Sequence, residues 1–94
     1  MNKVNNQFIK LCIPYIVGNI NVNFIKEKFE MLSIGKINRI DIIRNKNYNT
    51  IFIWFSKWFE NDLACRILKQ LQNGNEFNIV YEFPWFWKVR LCYY

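Results

Sequence analysis

Apolar and polar positions alternate with a period of two over residues 8–13, 36–44, 48–59, 77–81 and 85–94, which predicts extended chain. Two other stretches repeat every three to four residues instead. Val22, Ile25, Phe29 and Leu32 define one helical face; Ala64, Ile67, Leu68 and Leu71 define a second. Asn21 or Asn23 is placed to cap the first helix and Asn61 the second, because a short side-chain acceptor satisfies the free N–H groups of a first turn. Gly35 is expected to end the first helix in the left-handed conformation, and Asn73-Gly74 to stop the second. Residues 48–59 stand out because both faces are apolar: Ile51, Ile53 and Phe55 on one, Phe52 and Trp54 with Thr50 on the other. One face must be core, so the other predicts a sheet surface that presents aromatic rings, the kind of surface that marks an interaction site.

The order strand, helix, strand, strand, helix, strand, with a small hairpin before the last strand, predicts an α+β domain. Two right-handed crossovers would place both helices on one side of a four-stranded antiparallel sheet, a ferredoxin-like βαββαβ sandwich with its other side open. A polar lead, 1–7, precedes a single domain over 8–94, and 94 residues suffice for one two-layer core.

Composition sharpens this picture in three ways. At 52% hydrophobic and 19% aromatic, the chain has the apolar content to fold. Its net charge of +6 is concentrated, with Lys36, Arg39, Arg44, Lys46 and Lys57 against Asp41 alone between residues 36 and 57, which predicts attraction to polyanions. The bland alternative is that these cations only solvate and guard an exposed strand. Three widely spaced cysteines, Cys12, Cys65 and Cys92, match neither a disulfide framework nor a zinc spacing, and no long unbroken apolar run occurs, so an intracellular, soluble protein with no metal and no membrane association is expected.

Catalysis is disfavoured. The chain has no histidine and no Gly-rich phosphate loop, and the loop after the first strand, residues 15–21, carries no cation that could hold a phosphate, as the acylphosphatases of this architecture require. A non-catalytic module without cofactor is therefore expected.

Residues 11–16, Leu-Cys-Ile-Pro-Tyr-Ile, and 48–55, Tyr-Asn-Thr-Ile-Phe-Ile-Trp-Phe, resemble in position the two signature strands of the RNA recognition motif family, and Phe29, Gly35, Ile37, Ile40 and Ile42 resemble its helix-to-second-strand pattern. The strings Ser-Ile-Gly-Lys-Ile-Asn-Arg-Ile-Asp at 33–41 and Phe-Pro-Trp-Phe-Trp-Lys-Val at 83–89 look like a group of small proteins encoded by large DNA viruses, which would place the chain in the host cytoplasm or in a virion. The first resemblance implies stacking of nucleic-acid bases on the open sheet face, with cations on the phosphates. Phe52 matches one of the family's three rings; Thr50 and Cys12 stand where the other two would be. Trp54 and Tyr48 are placed to replace them, with Arg39, Lys46, Lys88 and Arg90 on phosphate. RNA or single-stranded nucleic acid is thus the expected partner. The alternative is a protein-interaction, self-association or virion structural module that uses the same apolar face, with a protein partner or a homo-oligomer covering it.

Overall fold

The computed structural model describes residues 9–92. Its elements are β1 (Ile9–Ile16), α1 (Val22–Glu30), β2 (Gly35–Arg44), β3 (Asn49–Trp58), α2 (Asp62–Gln72), β4 (Phe77–Glu82) and β5 (Trp85–Leu91). The 1–7 lead lies outside the described residues, as do Phe8, Tyr93 and Tyr94. Among the described residues, no helix is long and apolar enough to cross a membrane.

The expected four-stranded βαββαβ sandwich is corrected by the sheet itself. It has five strands in the order β2-β3-β1-β5-β4, all neighbours antiparallel. The supposed accessory hairpin is a full strand, because Phe77, Ile79 and Tyr81 all supply apolar side chains to the core face. β4 thereby becomes an edge of the sheet. β5, the carrier of Lys88 and Arg90, lies inside it.

β3 is central in the way its two apolar faces require. Ile9, Leu11 and Ile13 of β1 stand directly opposite Phe55, Ile53 and Ile51, and Ile40 and Ile42 of β2 stand opposite Ile53 and Ile51. Residues on one face of adjacent strands meet across the ladder, so this register makes a continuous apolar surface. Both helices cover it. Ile25 and Phe29 of α1 and Ala64, Ile67, Leu68 and Leu71 of α2 join the strand residues in a single core. Each fully buried Ile, Leu or Phe contributes roughly 1.5–3 kcal/mol, which holds these short helices where isolated ones would melt.

The helix ends follow the sequence at three of four places. Asn21 Oδ1 accepts from Asn23 N–H at 2.7 Å, and Asn61 Oδ1 accepts from Ala64 N–H at 2.8 Å. Gly74 closes α2 at φ 86°. Gly35 does not close α1: Ser33 takes the left-handed position at φ 53°, and Gly35 is instead the first residue of β2. Its reason for being glycine is space. A Cβ at Gly35 would lie 2.6 Å from Lys57 O and 2.7 Å from Phe55 Cδ2.

Candidate nucleic-acid interface

The side of the sheet away from the helices is built from the alternate residues of β1, β2, β3 and β5. Reading across the strands, one row runs Arg39, Trp54, Lys10 and the next runs Asp41, Phe52, Cys12, Arg90. Phe52 and Trp54 are half-buried here, although no helix covers them. Cations account for it. Lys10 Nζ sits 4.6 Å from the Phe52 ring centroid and 4.2 Å from that of Trp54, while the Arg39 guanidinium carbon lies 4.8 Å from Trp54. Trp54 is also fixed in rotation, because its Nε1–H donates to Asp41 Oδ2 at 2.9 Å and Arg39 Nε donates to the same oxygen at 3.2 Å. One carboxylate therefore neutralises one guanidinium and orients the ring.

Cys12 lies between these rings and β5. Burial pushes its thiol pKa up, the neighbouring Cys92 thiol adds to the rise, and the cations of Arg90 and Lys10 oppose it. A thiol in that setting behaves as a small apolar spacer.

Pro14 shapes the far side of the face. Cys92 N–H donates to Lys10 O at 2.8 Å, so Lys10, and two residues on Cys12, turn their backbone groups towards β5. Pro14 has no N–H to give, and among the described residues β1 and β5 pair at Leu11–Leu91 and Cys12–Arg90. Beside this seam lies a cleft of about 390 Å³ lined by Pro14, Tyr15, Glu76, Phe86, Lys88 and Arg90. On the other flank the β1–β3 register shifts between Ile13 and Ile16, and the Thr50 hydroxyl donates to Pro14 O at 3.0 Å. Thr50 thus serves the backbone at the position where a stacking ring was absent. Asn49, the buried polar residue of the core, donates through Nδ2 to Gly18 O at 2.8 Å and Ile16 O at 3.2 Å, anchoring the chain that leaves β1.

Of the seven residues singled out in the sequence, Phe52, Trp54, Arg39, Lys88 and Arg90 share this face. Tyr48 stands at its end, stacked on Tyr15 with centroids 5.1 Å apart. Lys46 is set apart in the β2–β3 loop, lining a polar cleft with Arg44, Asn45, Asn47, Gly18 and Asn19. Sequence reasoning missed Lys10, Tyr15 and Phe86 as members of the site. The period-two pattern puts Lys10 on the outer face of its strand, but only the β1–β3 register sets it opposite Trp54.

Phe83, Trp85 and Phe86 are exposed, Phe83 at 87% and Trp85 at 63%. The interior of the β4–β5 half is already filled by Ile79, Trp87 and Val89, with Tyr81 stacked on Trp87 at 4.6 Å. No group of three or more metal-ligating side chains occurs among the described residues. No protein-family model, curated protein or solved structure matches the chain.

Proposed function

We propose that the chain binds RNA or single-stranded nucleic acid on the open face of its sheet. The observation that carries this reading is the placement of Lys10 over both Phe52 and Trp54, with Arg39, Lys88 and Arg90 on the same face. Rings alternating with cations suit a chain of stacked bases and phosphates. Lys10 does not bar the rings. Each cation–π contact at an exposed site is worth roughly 0.5–1 kcal/mol and Lys10 makes two, against roughly 1–3 kcal/mol for each stacked base, so bases stacked on both rings outweigh these two contacts of the ammonium. The released charge remains at hand for phosphate. The likeness of residues 11–16 and 48–55 to the signature strands of the RNA recognition motif supports the same reading, and the likeness to small proteins of large DNA viruses adds a setting, infection, without adding chemistry.

Titration of labelled single-stranded RNA, followed by fluorescence anisotropy at low and moderate salt, tests it. Binding should weaken with salt, and Phe52→Ala and Trp54→Ala should each weaken it by roughly 1–3 kcal/mol while the far-ultraviolet circular dichroism stays unchanged. Absence of binding at low salt, or binding indifferent to both substitutions, would overturn the proposal.

A further inference from the structure

The two edges of the sheet are unlike each other. β2 carries Lys36, Arg39, Asp41 and Arg44, and its pairing with β3 is interrupted by register shifts at Lys36/Ile37 and Ile37/Arg39. Charges and bulges of this kind keep an edge from pairing with another strand. β4 is guarded only at its end, where its register with β5 shifts between Val80 and Glu82, while its first four residues, Phe77 to Val80, pair regularly. Its sequence Phe-Asn-Ile-Val-Tyr-Glu holds no charge before Glu82 and no proline, and among the described residues no backbone hydrogen bond outside the ladder reaches it.

Apolar surface gathers at that edge. A groove of about 330 Å³ runs beside it, lined by Phe77 to Val80 of the strand, by Lys28 and Leu63 of the two helices and by Met31 and Leu32 just past α1. Met31 is 73% exposed and Val80 55%. Phe83 and Trp85 follow at the adjoining hairpin tip. A strand laid in the groove would complete the hydrogen bonding of β4 and cover these side chains at once.

We infer that the occupant is the β4 strand of a second copy of this chain, paired antiparallel across a two-fold axis to join two five-stranded sheets into one of ten strands. Three features favour this occupant. The groove suits a neutral, β-branched and aromatic stretch, and Phe77 to Tyr81 of β4 is one. The copy's strand brings one charge, Glu82, to a groove whose charged lining residue is Lys28, so the two surfaces are opposite in sign. The guarded β2 edge prevents further growth, so a two-fold contact closes on itself as a dimer. The open face with Phe52 and Trp54 takes no part, which makes the inference independent of the proposed function.

Light scattering with size-exclusion chromatography on the full chain tests it, together with hydrogen exchange of the β4 amides across a concentration series. A mass of two chains is expected, with the amides of β4 gaining protection as the dimer forms. Met31→Lys and Leu63→Glu place compatible charges at the end of α1 and the start of α2, so the fold should persist by circular dichroism. Each should raise the dimer dissociation constant by about tenfold or more, leaving RNA titration unaffected. A single-chain mass at every concentration, as expected if β4 takes a strand of some other protein or none, would refute the inference. So would a dimer that withstands both substitutions with β4 amides unprotected.

Discussion

Lys10 and Cys12 sit two residues apart on one strand and show how neighbours assign roles. Lys10 lies over two rings, and its charge is carried at the site where a base would stack. Cys12 shares the same surface, but burial and the Cys92 thiol raise its pKa more than Lys10 and Arg90 lower it. Because the thiolate is the reactive form, a raised pKa leaves less of it at a given pH. Cys12 should therefore react with iodoacetamide near pH 8 several-fold more slowly than the exposed Cys65, as read by mass spectrometry of timed samples. Equal or faster labelling of Cys12 would mean that the two cations outweigh burial.

At the level of elements, the seams between strands decide the shape of the site. β3 meets β1 and β2 over long registers, while among the described residues β1 meets β5 at two paired positions. Beside that seam lies the cleft lined by Lys88 and Arg90. The entrance of β2 is tight in the opposite sense, since Gly35 lies against the Lys57 carbonyl and the Phe55 ring. Gly35→Ala should destabilise the domain by roughly 1–3 kcal/mol, the usual cost of overpacking a filled core. Chemical denaturation would measure it. An unchanged midpoint would show that β2 and β3 can move apart without loss.

For the whole molecule, the asymmetry of charge and apolar surface matters more than the totals. Cations line the open face, and apolar side chains gather at the β4 edge and its hairpin tip. If Lys10, Arg39, Lys88 and Arg90 each hold one phosphate, log Kd against log salt should have a slope of about 3, and Arg90→Gln should reduce it by about 0.7. The same titration repeated across five salt concentrations provides the number. A slope near zero would mean that the face binds by apolar contact alone.

The hydrophobic pattern and the capping residues by themselves determined the two helical faces, the inward residues of β3, the Asn61 cap and the aromatic outer face of β3. Those features follow from local periodicity and capping chemistry, which depend on near neighbours in the chain. Five of the seven proposed binding residues could be placed on one face for the same reason. Tertiary structure alone decided how many strands join the sheet, since a six-residue strand such as β4 reads the same whether it is an accessory hairpin or an edge. Register, too, is a relation between distant segments, so the meeting of Lys10 with Phe52 and Trp54 and the Tyr15–Tyr48 stack were invisible along the chain. Gly35 marks the boundary between the two: its identity looked like a helix stop, and the reason for it is a carbonyl and a ring some twenty residues away, brought against it by the fold.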